Sequence, residues 1–120
     1  LKECGYRVAL ATNPIFPHVA TENRIRWAGL VPEDFEIYTT YEASTFCKPN
    51  PAYYLEVART LGVKPEECLM VGDRMHDIVG AHDAGIKCAA VLVGFGSRGE
   101  FAEYGADYVC ETLDDVLKLV

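Results

Sequence analysis

The chain has 120 residues, half of them apolar, a length that suits one core. Its formal charge of -7 excludes the lysine- and arginine-rich face that non-specific binding to nucleic acid or anionic lipid requires, and leaves a small molecule as the expected partner. No uncharged stretch approaches the roughly 20 residues that cross a bilayer as a helix, so no membrane partner is expected.

The five cysteines, Cys4, Cys47, Cys68, Cys88 and Cys110, are odd in number and include no Cys-x-x-Cys pair. Neither a disulfide framework nor a zinc site follows from them, and a reducing cytoplasm fits. The first residues, Leu1 to Tyr6, lack the basic stretch and apolar core of a secretory signal and read as the end of a helix. The chain is therefore expected to begin inside a larger protein.

Short apolar runs alternate with helical stretches closed by glycine. Tyr6 to Ala11 is predicted as a first strand, followed by a helix from Pro17 to Gly29 and a weaker strand at Ile37 to Thr40. Asn50-Pro51 supplies a cap and a first-turn proline for a helix with Tyr54, Leu55, Ala58 and Leu61 at helical spacing before Gly62. Cys68 to Val71 reads as a fully apolar, buried strand, then comes a helix closing at Gly85, and Lys87 to Val93 is the next strand. A glycine-rich loop, a short helix near Phe101, a strand at Tyr108 to Cys110 and a helix from Leu113 to Leu119 complete the pattern. Continuous apolar strands in alternation with helices indicate an α/β fold, an open parallel sheet with helices on both faces.

Such sheets bind ligands beyond the carboxyl ends of their strands. The residues in that place are Thr12-Asn13, the segment around Lys48, and Gly72 to Asp77. Taken singly they have plain readings: Thr-Asn turns or caps a chain, and a lone surface lysine is solvated. An Asp-x-x-x-Asp can simply complement a helix dipole. Lys48, in Cys47-Lys-Pro-Asn-Pro, is followed by prolines that fix the backbone beside it, and Asp73 stands directly after an apolar strand with Asp77 one helical turn on. Threonine and lysine suit a phosphate, whereas two carboxylates would repel it unless a cation stood between, and magnesium bridges carboxylate and phosphate oxygens.

Thr12, Lys48 and Gly72-Asp73-x-x-x-Asp77, in that order and each after a strand, resemble the second, third and fourth signature motifs of the haloacid-dehalogenase (HAD) superfamily. The carboxyl half, with Val-Gly-Asp-Arg ending at Arg74 and Val-Leu-Val-Gly-Phe-Gly-Ser-Arg ending at Arg98, is similar to its phosphoglycolate-phosphatase-like branch. The resemblance implies that Thr12 hydrogen-bonds a transferring phosphoryl group with Asn13 beside it, and that Lys48 neutralises nucleophile and phosphate. Asp73 would ligate Mg2+, and Asp77 would do so directly or through water. It further implies a parent that hydrolyses small phosphomonoesters through an aspartyl-phosphate, and convergence of Thr12, Lys48 and Asp73 at one edge of the sheet. The family's first motif, Asp-x-Asp, supplies nucleophile and general acid/base from a central strand upstream of the threonine, and no Asp-x-Asp occurs in the chain. Residues 1–120 are thus expected to be a single, partial catalytic core domain, truncated at its amino terminus, missing the central strand and the cap, and inactive alone.

Two literal matches compete. Cys68-x5-Arg74 has the spacing of cysteine-dependent phosphatases, but its middle is apolar strand and Asp73 would repel a dianion. Gly94-Phe-Gly-Ser-Arg-Gly99 matches a dinucleotide fingerprint, yet too few residues precede Gly105 for the long helix that fingerprint opens. A non-catalytic module that binds a phosphorylated ligand or partner is the reading from another class. His18, His76 and His82 are expected at the surface or in caps, and Trp27 in core or rim packing.

Overall fold

A computed structural model describes residues 1–94 and 96–120, which form two compact units, Leu1–Cys47 and Lys48–Val120.

In the first unit the strands expected at Tyr6 to Ala11 and Ile37 to Thr40 shrink to one parallel bridge between Leu10 and Tyr38. Around it Leu10 N donates to Ile37 O at 2.9 Å, Thr39 N to Leu10 O at 3.1 Å and Glu36 N to Val8 O at 2.8 Å. The parallel direction is as expected and the length is not. A 3-10 turn at Pro32–Asp34 and a turn beginning at Tyr41 leave few residues between them that can pair. Helix α1, His18–Trp27, has Pro17 as its cap rather than inside its first turn. Proline offers no side-chain acceptor, and the Glu42 carboxylate instead accepts from His18 N at 2.9 and 3.1 Å. The helix buries Thr21 and Ile25, one turn apart, and the chain leaves it through Gly29 at a φ of 85°. Trp27 is 80 % exposed, against the expectation of core or rim packing, because it stands off the Thr21–Ile25 stripe.

The second unit is a three-stranded parallel sheet in the order β1-β2-β3, with β1 at Leu69–Gly72, β2 at Lys87–Val91 and β3 at Tyr108–Cys110. Helix α2 spans Pro51–Leu61, α3 spans Met75–Asp83 and connects β1 to β2, and α4 spans Arg98–Glu103 and connects β2 to β3. Central β2 is buried, with Cys88, Ala89 and Ala90 all at 0 % exposure. β1 is an outer strand of this sheet and only half-buried, where the sequence predicts full burial. Val91, on one face of β2, packs with Val116, Leu69, Val71 and Leu119. Cys88, three residues earlier and hence on the other face, lies near Asp77 of α3. Helical segments therefore cover both faces of the sheet, as the alternating pattern predicts.

The last segment is a 3-10 helix, Leu113–Lys118, rather than an α-helix. Its tighter winding brings Asp115 and Lys118, three apart, into an ion pair at 3.0 Å. β2 also ends two residues before the expected Val93, where the chain turns toward Gly94.

Burial pushes the Cys88 thiol up to about 12, with the Asp77 carboxylate adding to the effect. Iodoacetamide at pH 8 is accordingly expected to label the exposed Cys4 and Cys47 of the native protein and to spare Cys88 until denaturant is added. Peptide mass spectrometry reads the outcome, and fast native labelling of Cys88 would contradict the packing of β2 described above.

Candidate active site

β1 ends at Gly72, and the next residues carry the chemistry. The chain bends at Asp73 and Arg74, Arg74 caps the next helix in extended conformation, and α3 then starts at Met75, so Asp77 falls in its first turn. A methyl group on Gly72 would lie 2.2 Å from Asp77 Oδ2, so only glycine lets the carboxylate fold back beneath the strand end. There Asp77 is 6 % exposed, and its Oδ1 receives Lys48 Nζ at 2.8 Å. Both side chains are largely buried, at 15 % and 8 % exposure, which makes this ion pair the least solvated of those among the described residues. Asp77 also stands where a negative charge complements the helix dipole.

Helix α2 supports the pair. Asn50 caps it, its Oδ1 accepting from Ala52 N at 2.9 Å, Pro51 opens it and Gly62 closes it at a φ of 71°, all as predicted. It buries Tyr53, Tyr54 and Ala58, whereas Leu55, expected on the apolar stripe, is 37 % exposed. The Tyr54 hydroxyl donates to His76 O at 3.1 Å, pinning the residue before Asp77, and its ring fills the space that a side chain at Gly80 would need. Burial first, and the Asp77 carboxylate second, push the Tyr54 phenol well above its ordinary range. Lys48 Nζ lies 5.9 Å from the centre of the Tyr53 ring. Sequence reasoning missed Tyr53 and Tyr54 as parts of the site. Their signal was two adjacent aromatics just after Lys48-Pro49-Asn50-Pro51, which spacing alone does not separate from core packing.

Asp73, in the same β1–α3 loop, sits against the glycine-rich turn that follows β2. The second unit thus holds Lys48, Asp73 and Asp77 at or beyond the carboxyl end of β1. Thr12 and Asn13 belong to the first unit. Thr12 accepts at its carbonyl a short hydrogen bond from the Thr39 hydroxyl. With Leu10, Thr21, Arg24, Ile25 and Phe35 it lines a cavity of about 210 Å³. Asn13 is exposed, and its carbonyl accepts from Ile15 N at 2.8 Å.

The competing motifs do not form sites. Cys68 stands before β1 and Arg74 two residues beyond it, and the four strand residues between them alone span about 10 Å. The Cys68 thiol instead donates to Lys64 O at 3.5 Å. In the dinucleotide-like stretch Phe95 lies outside the described residues, and the helix that follows has six residues. His82 meets Asp107 at 2.7 Å, and Asp107 also accepts from Cys88 N at 2.8 Å, a clasp that ties α3 to the entry of β3. Hydrogen bonds from the Cys88 amide and from His82 hold the Asp107 carboxyl below its usual range.

A family model of HAD-hydrolase-like proteins matches residues 45–116, which takes in Lys48, Asp73 and Asp77. Pyrophosphatase PpaX of Bacillus cereus is 33% identical over 120 residues, which are 100% of this chain and 54% of that protein. PpaX of Halalkalibacterium halodurans is 34% identical over 122 residues with the same coverage. The chain thus spans about half the length of the curated relatives it matches. A crystal structure described as a predicted phosphoglycolate phosphatase from Haemophilus somnus superposes with a TM-score of 0.83 at 25% identity, covering 98% of this chain and 51% of that one. The match across residues 45–116, on the residues whose geometry has just been described, makes this chain a member of the HAD-hydrolase-like family.

Proposed function

We propose that the protein carrying this chain is a magnesium-dependent phosphatase that hydrolyses small phosphomonoesters of the phosphoglycolate type through an aspartyl-phosphate. The observation that carries this reading is the buried Lys48–Asp77 pair at 2.8 Å, next to the loop that presents Asp73 beyond a parallel strand. An ammonium held in this way can neutralise a nucleophilic carboxylate and a phosphate without waiting for solvent to reorganise.

Among the described residues no three His, Cys, Asp or Glu side chains gather as a metal cage. Magnesium fits nonetheless, because it keeps several waters and is held by one or two carboxylates plus substrate phosphate. Asp73 would hold it directly, and Asp77, committed at one oxygen to Lys48, would do so with its other oxygen or through water. When bound, the cation supplies charge neutralisation at the phosphoryl oxygens. In this reading Thr12 donates to the phosphoryl group with Asn13 beside it. Residues 1–120 act as one partial catalytic core without a cap. Five free cysteines fit a cytoplasmic home.

A second reading, a non-catalytic module that binds a phosphorylated ligand, is favoured by the lack of any Asp-x-Asp in the 120 residues. The same lack means that the 120-residue chain alone should turn over no phosphate ester. Phosphate release by the full-length protein with magnesium separates the readings, using phosphoglycolate, other small phosphomonoesters and inorganic pyrophosphate as substrates. Turnover of a phosphomonoester is expected; silence toward every substrate would favour the binding module.

A further inference from the structure

We propose that Gly94 is a positioning residue, the seat against which the Asp73 carboxylate is held, so that the turn after β2 is part of the magnesium site. The proposal deepens the phosphatase reading and rests on it for the metal.

β1 and β2 are neighbouring parallel strands. They pair in register, Gly72 beside Ala90, so the chain leaving β1 at Asp73 and the chain leaving β2 emerge side by side. A Cβ built on Gly94 would lie 1.8 Å from Asp73 Oδ2, 2.6 Å from its Cγ and 2.7 Å from its Cβ. The φ of Gly94 lies outside the left-handed region, so no strain of that kind opposes a side chain there. What alanine would add there is one methyl group, and what that methyl meets is Asp73. Rotation about the side-chain bonds of Asp73 can move Oδ2 aside, but the 2.7 Å approach to its Cβ cannot be relieved without moving backbone. Gly96 continues the contact, since a Cβ there would lie 2.5 Å from Asp73 O and 2.2 Å from the Phe101 ring. Phe101 is fully buried, which anchors Gly96 to the core.

The arrangement repeats on the other carboxylate, where Gly72 makes room for Asp77. Each aspartate of the pair is thus backed by a glycine at a strand exit. Gly99, in the first turn of α4, has nothing within 4 Å of its Cβ position and serves as the control.

The test uses the full-length protein and a thermal double-mutant cycle without metal. Gly94→Ala is expected to lower the unfolding midpoint by about 5 °C. In an Asp73→Gly background the same change should cost less than half as much, because Oδ2, Cγ and the Cβ that cannot rotate aside are all gone. Gly99→Ala should leave the midpoint unchanged or raise it. Equal costs of Gly94→Ala in both backgrounds would overturn the seat, whatever the protein does with metal. Calorimetry with magnesium chloride adds the second readout. Gly94→Ala should weaken binding by about tenfold or more, as displaced supports of metal ligands do, and Gly99→Ala should not. Unchanged magnesium affinity in Gly94→Ala would likewise overturn the proposal. A wild-type protein that shows the thermal coupling but binds no magnesium would retain the seat and overturn the phosphatase reading.

Discussion

Asp77→Ala is expected to cost the fold about 3–5 kcal/mol, the range for removing one partner of a buried ion pair. The carboxylate is 8 % exposed and receives Lys48 Nζ at 2.8 Å, so its loss leaves a largely buried ammonium without that counter-charge. It also empties the space beside Gly72 that this side chain fills. The effect belongs to the broken pair rather than to charge as such. The double variant Lys48→Met, Asp77→Leu, which replaces both partners with apolar groups of similar bulk, should recover most of the loss. Urea denaturation followed by circular dichroism measures both. A cost below about 1 kcal/mol for Asp77→Ala, the scale of exposed pairs, would mean that solvent screens the contact and that the burial described here is wrong.

The part of the fold that was legible is the part where local chemistry and tertiary packing agree. Asn50, Pro51 and Gly62 define α2 because a cap, a preset φ and a left-handed residue each act within a few residues, and no distant contact opposes them. The strand at Tyr108 to Cys110 was likewise read at its true bounds. The pairing partners of a strand are not written in its own residues. Tyr6 to Ala11 has the composition of a strand, yet it finds a single bridge at Leu10, and Leu69 to Gly72 is apolar yet outer and half-buried. Apolar runs report preference for a pleated surface, not how many neighbours that surface has. The cap of α1 failed to show for the same reason. Glu42, which supplies it, is 24 residues from His18.

The site was legible as a set of residue types and less so as a geometry. Asp73 and Asp77 announced themselves through their place after an apolar run, and Lys48 through its prolines. That Asp77 would face Lys48, rather than only complement the start of α3, depends on α2 packing against α3 at Gly80 under the Tyr54 ring, a contact between residues 26 apart. The glycines at 72, 94 and 96 read as turn formers or as a weak dinucleotide fingerprint. Their environments in the fold show a different reason for glycine, the near approach of carboxylates and of the Phe101 ring.

Asp73→Asn in the full-length protein should have the largest effect on turnover, lowering kcat by about 10²–10³, the scale of losing one preorganised electrostatic group. The substitution keeps the shape that rests against Gly94, so the thermal midpoint should move by no more than about 2 °C. It replaces an anionic oxygen by a neutral amide, which weakens the hold on a hard cation while leaving Lys48 on Asp77. Two signatures separate this from a general loss of structure. The magnesium concentration for half-maximal activity should rise, and KM for the phosphomonoester at saturating magnesium should change far less than kcat, since the proposed function gives Lys48 a share in holding the ester. Activity within tenfold of wild type at every magnesium concentration would remove Asp73 from the site and leave the metal to be held elsewhere.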